Sequence, residues 1–245
     1  MDSLFRVDVL RKTVNPNILM YAALHQDYSE DYVFTEIDWD NLSESKTGKI
    51  VVNRLLKGEK GHFGVLEHPT ITFNVGYFPH SVMQQARTHR VGVSFDCQSM
   101  RYSGHRICKA VESENIKESI ERIFYFRPVG VYRDRQGKTY EYTESMRNSD
   151  IDYAIANAIR YKEKIEMGFS EEHARGLLCF DFRQHFLVSF NLRSILHFLD
   201  LRAKKNAQWE IQCMTHLMVP HIQKWVPQVW EYYETHRYQK ARLAP

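Results

Sequence analysis

The sequence predicts an α+β fold with a mixed or antiparallel sheet and long packed helices. Two observations carry this reading. Apolar and polar residues alternate over 5–10, 71–77 and 184–191, the period of two expected of half-buried strands. Helical patterns separate and follow these stretches without the strict strand–helix alternation of a parallel sheet.

The elements follow in order. Phe5 to Leu10 reads as a strand, and Pro16 opens a short helix through Ile18, Leu19, Tyr21 and Leu24, since proline is preformed for a first helical position. Residues 28–48 are polar and acidic, a surface loop with local helix. Lys49 to Lys57 carries Ile50, Val51, Leu55 and Leu56 in a helical pattern that stops near Gly58 and Gly61. Ile71, Phe73, Val75 and Tyr77 mark the second strand. Pro79 then opens a helix over 80–90, which would place Arg87 and Arg90 on one face. Residues 91–97 read as loop, and 98–108 as loop passing into strand. A hairpin is expected over 124–142, turning at Gln136-Gly137. Ser149 would cap a helix over 150–167 closed by Gly168, and Ser170-Glu171-Glu172 a second one through Leu178. After the strand at 184–191 come helices over 192–200 and 207–224 and a last one after Pro227.

Length and composition bound the rest. The 245 residues fit one domain, taken here as 1–245. A hydrophobic fraction of 43% suits a globular core, and 13% aromatics can both fill it and stack on flat ligands. A net charge of +3 suits small anionic ligands better than a nucleic-acid arm. No apolar run is long enough for a membrane span, and the N-terminus lacks a signal-peptide pattern. Cys97, Cys108, Cys179 and Cys213 are scattered, outside CxxC spacing. The cytoplasm is therefore the expected compartment.

Three stretches concentrate chemistry. In Gln84-Gln85-Ala86-Arg87-Thr88-His89-Arg90 the guanidinium groups suit phosphate, although such a run also suits a solvated helix end. Ser94 to Ser103 crowds hydroxyls, an amide and Arg101 into a short irregular segment, able to present donors to a phosphate or base edge or simply to form a polar turn. In Phe190 to Glu210, Arg193 and His197 stand four apart on one helix face. Arg202 falls at the elbow before the next helix, where an ordinary charged turn is the alternative.

Together these stretches resemble the flavin-dependent thymidylate synthases. That family's signature reads Arg-His-Arg, seven residues, Ser, one residue, Arg-Tyr-Ser. Here Thr88-His89-Arg90 precedes Ser99-Met100-Arg101-Tyr102-Ser103. Gly61-His62…Leu66-Glu67-His68 resembles the Gly-His…Phe-Glu-His block, and Asn191-Leu-Arg-Ser…Phe-Leu-Asp-Leu-Arg202…Ala-Gln-Trp-Glu210 the C-terminal block. Two departures stand out. Thr88 replaces the first Arg, with Arg87 just before it, and eight residues separate Arg90 from Ser99. The extra residue falls in Val91-Gly92-Val93, where glycine can absorb it.

The resemblance implies a fold of the thymidylate synthase-complementing type and reductive methylation of dUMP to dTMP. FAD, NADPH and 5,10-methylenetetrahydrofolate would take part, in a homotetramer. It implies FAD contacts from His89, Arg90, Asn191, Arg193 and His197, joined by Gly64 and the backbone at Thr88 and Cys97. It implies dUMP contacts from Gln85, Thr88, Gln98, Ser99, Arg101, Arg175 and Arg202. Arg202 would be catalytic, stabilising negative charge on the uracil ring. No metal, nucleic acid or membrane is implied. Cys97 falls where the family uses no thiol, and Ser99 has no His–Asp relay at recognisable spacing. Two rival classes remain. A single-stranded nucleic-acid-binding module would use the same Arg and aromatic residues, against the small net charge. A metal hydrolase would need ligand spacing that His62, His68, His80, His89, His185 and His197 do not show.

Overall fold

A computed structural model describes residues 1–57, 62–134 and 136–240. The Gly58 and Gly61 stop signals, the Gly61 end of the first motif block and the last five residues lie outside these. The chain opens with strand β1 (Arg6–Lys12) and helix α1 (Pro16–Gln26), with Pro16 at its first turn. Short α2 (Val33–Glu36) precedes α3 (Glu44–Val51), which runs on into a π-helical turn, Val52–Leu56. A 3-10 turn (Phe63–Glu67), β2 (Thr70–Pro79) and α4 (His80–Ala86) follow. Next come β3 (Val93–Cys97), α5 (Met100–Ser103), α6 (His105–Val111) and α7 (Ile116–Ile123). The hairpin β4 (Gly130–Arg133) and β5 (Thr139–Tyr142) leads to α8 (Glu144–Glu166) and α9 (Glu171–Ala174). Then β6 (Arg183–Asn191) passes directly into α10 (Leu192–Arg202), ahead of α11 (Trp209–Trp225) and α12 (Pro227–His236). Among the described residues no helix is long and apolar enough to cross a membrane.

The main sheet has the order β1-β2-β6-β3, and β4 pairs antiparallel with β5 alone. Side-chain and backbone pairs give the directions. Thr72 meets Ser189, while Leu192 N donates to Pro69 O, so β2 and β6 run opposite ways. Asn191 N donates to Gly92 O and Gln98 N to His185 O, which sets β3 antiparallel to β6. Predominantly antiparallel pairing is what the separated strands predict, and the α+β expectation holds.

The chain divides into two compact units. The first comprises Met1–Arg6, Val75–Thr88 and Asp96–Leu187. Its core sets Met100, Ile107, Ile120, Ile123 and Phe124 against Ala154, Ala158 and Tyr161 of α8. The small alanines let α8 approach closely. The second comprises Val7–Asn74, His89–Phe95 and the chain from Val188 onward. Here Met20, Val51, Ile195, Leu199, Met214, Met218, Ile222 and Val229 are buried, with α1 and α12 packed on α3 and α11 on both α10 and α12.

Six local expectations need correction. Helix α4 stops at Ala86, where Arg87 N bonds Met83 O and Thr88 N bonds Gln85 O, so Arg87 and Arg90 share no helix face. Residues 93–97 form strand β3, hidden in the sequence because its side chains are only half-buried on one face and exposed on the other. Residues 100–111 are helical, not strand, and Ser99 caps the first turn by accepting from Arg101 N. Helix α3 starts at Glu44 under a Ser43 cap, its polar first turn disguised as loop. Thr143, not Ser149, caps α8 by accepting from Met146 N, and α9 gives way to a 3-10 turn at Arg175. Capping depends on which hydroxyl meets a free N–H, and several stood within reach of each start.

Candidate functional site

The second unit gathers one cluster where β6 turns into α10. Asn191 caps α10, its Oδ1 accepting from Ser194 N at 2.8 Å. Ser194 Oγ donates to Val91 O at 2.6 Å, and Asn191 N to Gly92 O at 3.0 Å. The segment carrying His89 is therefore fastened to the first turn of α10. Gly92 makes this possible. Its φ is 64°, and a Cβ there would lie 2.3 Å from Asn191 Nδ2 and 2.4 Å from Ser194 Oγ.

Fastened so, His89 meets the far end of the same helix. Arg202 Nε donates to His89 Nε2 at 3.0 Å. The imidazole also packs edge-on against Phe198 and His197, at 4.9 and 5.7 Å between ring centres. Burial first, then the Arg202 and His197 charges, lower the His89 pKa to about 4. His89 is thus a neutral acceptor at physiological pH, which is what an arginine donor requires. Burial also lowers the Arg202 pKa. His197 Nδ1 is buried with no hydrogen-bond partner, an unusual state for a ring nitrogen. His197 and Arg193 line a cavity of about 80 Å³ with Leu56, Phe63, Leu66 and Tyr232. Arg193 Nη1 reaches Glu67 Oε1 at 2.6 Å in an exposed pair. Such pairs contribute at most about 1 kcal/mol, so an anionic ligand can displace Glu67.

The first unit gathers a separate group. Gln98 follows β3 directly, and Ser99 is the N-cap of α5. Arg101 on α5 pairs with Glu172 on α9 at 2.7 Å, both about half exposed. Arg175 is exposed just beyond α9. The short helices thus bring Arg101 and the Arg175 turn into one neighbourhood, again with a weak ion pair that a phosphate can replace. Gln98 Oε1 is buried without a partner, an acceptor available to a ligand N–H. Gln85 is half-buried on α4. Thr88 is exposed, its hydroxyl donating to Gln85 O at 2.7 Å.

The expected FAD residues therefore divide. His89, Asn191 and His197 come together with Arg202. Arg193 lies on the same helix, turned toward Glu67. Arg90 and Gly64 are exposed, and nothing lies within 4 Å of a Cβ built on Gly64. Thr88 and Cys97 belong to the other unit. Of the expected dUMP residues, only Arg202 belongs to the second unit.

Sequence reasoning missed Asp200, only 1% exposed. It accepts from Tyr233 Oη at 2.8 Å and from Arg237 Nη2 at 2.6 Å. It thereby ties α12 to α10 beside His197, and burial with the adjoining carboxylate pushes the Tyr233 phenol pKa up. Its signal was a carboxylate standing inside the apolar run Phe198-Leu199-Asp200-Leu201. Glu67, part of the Leu66-Glu67-His68 motif, gains a role only as the partner of Arg193.

The sequence model of the family described as thymidylate synthase complementing protein matches residues 8–228. A flavin-dependent thymidylate synthase of Haloarcula marismortui is 34% identical over 253 residues, covering 98% of this chain and 99% of its own. The crystal structure of ThyX from Helicobacter pylori with FAD and dUMP superposes with a TM-score of 0.66 at 15% identity, over 91% of this chain and 96% of that one. A UMP/dUMP methylase, PolB from Streptomyces cacaoi, bound with 5-Br UMP, superposes with a TM-score of 0.69 at 18% identity, over 100% and 98%. At these identities the two structures speak for the fold.

Proposed function

The chain belongs to the flavin-dependent thymidylate synthase family, and from that membership we propose that it methylates dUMP reductively to dTMP, with 5,10-methylenetetrahydrofolate as carbon donor and NADPH as reductant. One observation carries the reading at the level of residues. Two motif blocks about a hundred residues apart, at 89–92 and 191–202, are joined by the contacts of Arg202 with His89 and of Ser194 with Val91.

The residues of the second unit fit FAD. The partnerless His197 Nδ1, the displaceable Arg193 and the neutral His89 are polar groups that a flavin dinucleotide can engage. We assign the cofactor to His89, Arg90, Asn191, Arg193 and His197, with Gly64 and the backbone at Thr88 and Cys97. When bound, FAD supplies the redox chemistry that takes hydride from NADPH and delivers it to the transferred one-carbon unit. The chain's own residues do the rest. Arg101, Arg175 and Ser99 neutralise and orient the substrate phosphate. Gln85, Gln98 and Thr88 bind the nucleoside, Gln98 through its free Oε1. Arg202, hydrogen-bonded to His89, stabilises negative charge as it develops on the uracil ring. We read residues 1–245 as a single functional domain, since the family match runs through residues of both units. We read the enzyme as a cytoplasmic homotetramer that binds no nucleic acid, as the resemblance implies.

The deciding experiment is an assay of purified protein for dTMP formed from dUMP, methylenetetrahydrofolate and NADPH. A yellow protein that releases FAD on denaturation and forms dTMP is expected. A colourless protein, or one that methylates UMP in preference to dUMP, overturns the assignment. A second expectation concerns Cys97. It is half-buried at the end of the edge strand β3, and no step of this chemistry uses its thiol. Cys97→Ala should keep more than about half of the wild-type rate, because a polar-to-small change at a partly exposed strand end perturbs stability little. Complete loss of turnover with flavin and dUMP still bound would instead point to a thiol nucleophile.

A further inference from the structure

The first unit holds a hydrogen-bonded chain that no motif announced. Gln98 is pinned through its backbone on both sides. Its N–H donates to His185 O at 2.9 Å, and its carbonyl accepts from Gln184 Nε2 at 2.5 Å. A carbonyl can only accept, so the Gln184 amide must turn its NH2 toward Gln98 and its oxygen the other way. That oxygen faces His80 Nδ1 at 3.3 Å, which must therefore carry a proton. His80 Nε2 is then a lone pair in the neutral ring, and Gln84 Nε2 donates to it at 2.8 Å. Every donor and acceptor in the run Gln84, His80, Gln184, Gln98 is thus set by one backbone carbonyl.

The parts are rigidly housed. Gln184 is 2% exposed. The His80 ring stacks on Phe182 at 4.6 Å and meets Phe180 edge-on at 5.3 Å, and its backbone N–H bonds Phe182 O. Burial lowers the His80 pKa, which keeps the ring neutral as the chain demands. The two ends of the chain lie on two segments of this unit that carry assigned substrate contacts: α4 with Gln85, and the β3–α5 junction with Gln98 and Ser99.

We propose that Gln184 and His80 are positioning residues for substrate: they hold the Gln98-Ser99 junction and helix α4 in the register that binds dUMP. The inference rests on the functional reading above. Neither residue is among the assigned substrate or cofactor contacts; both act through the two segments they hold.

The test uses the flavin-loaded enzyme. Gln184→Glu keeps the size of the side chain but replaces the NH2 with a second acceptor facing the Gln98 carbonyl. It is expected to raise KM for dUMP about tenfold or more, the loss of one buried hydrogen bond, while kcat at saturating dUMP falls by less than about threefold. His80→Phe retains the stacking on Phe182 but frees the Gln184 amide to rotate. It is expected to raise the same KM about threefold, a fraction of a full hydrogen bond. Gln84→Ala, at the exposed end, should leave KM within about twofold. FAD occupancy and Tm are measured alongside. An unchanged KM in a folded, flavin-loaded Gln184→Glu enzyme overturns the proposal. So does a joint collapse of KM, kcat, flavin content and Tm in both variants, which would mark a purely structural network. If Gln184→Glu does not fold, His80→Phe decides alone, and a wild-type KM there overturns it. Failure of the functional reading looks different, because the wild-type enzyme would then neither bind nor turn over dUMP.

Discussion

Arg202→Ala is expected to lower dTMP formation by about two to three powers of ten, the usual loss when one preorganised electrostatic donor is removed. The arginine is the last residue of α10, its Nε directed at His89 Nε2. Charge builds on the uracil only as the reaction proceeds, so kcat should fall more than dUMP binding weakens. NADPH oxidation in the absence of dUMP should survive, because flavin reduction needs no charge at the uracil. Arg202→Lys should recover little, since an ammonium cannot hold His89 and the ring with one planar fork. A parallel fall of both activities with loss of FAD would make Arg202 a flavin ligand; unchanged dTMP formation would make it a solvated turn residue. The same variant carries a pH signature. Burial and then Arg202 lower the His89 pKa from 6.5 to about 4. Between those values the unfolded chain binds a proton that the folded protein does not. His89 therefore makes folding less favourable as pH falls through that window and leaves it unaffected above it. Removing Arg202 takes away the second cause and leaves the first. The His89 pKa, followed by NMR titration, should rise but stay below 6.5, and a value that does not move would contradict the contact.

Gly92→Ala should be strongly damaging for so small a change. A left-handed φ of 64° already disfavours alanine, and its Cβ would overlap Asn191 Nδ2 at 2.3 Å and Ser194 Oγ at 2.4 Å. Backbone strain of about 1–3 kcal/mol adds to overpacking of similar size. The clash cannot be relieved cheaply, because both neighbours are engaged: Asn191 caps α10, and Ser194 holds Val91. Calorimetry should show Tm lower by roughly 4–24 °C, from the usual 2–4 °C per kcal/mol in a chain of this size. Flavin content should drop with it, since His89 follows the displaced loop. Gly176→Ala is the matched control, with open space around its Cβ and no positive φ. Equal effects of the two substitutions would refute the clash argument.

Much of the architecture was legible in the sequence. Three alternating stretches became β1, β2 and β6; Pro16 and Pro227 opened helices where proline's fixed φ suits a first turn. The Gln136-Gly137 turn joined β4 to β5, with Gly137 at φ 88°. The boundaries that failed were those where local chemistry was ambiguous. Edge strand β3 and helix α5 are short and polar, so neither shows a period; they are ordered by β6 and by the Ser99 cap.

The candidate site divides along the same line. The sequence by itself determined the residue types and their motif order, and with them the family. It also determined that Arg193 and His197 share a helix face, because helical spacing is a local property. Only the tertiary structure decided that Arg202 meets His89, that Gly92 must be glycine, and that Asp200 and Gln184 are buried anchors. Each of these depends on residues about a hundred positions apart in sequence, or on α12 closing over α10. Such pairings are made by burial of whole faces, and a hydrogen-bond partner is chosen only once the faces have met.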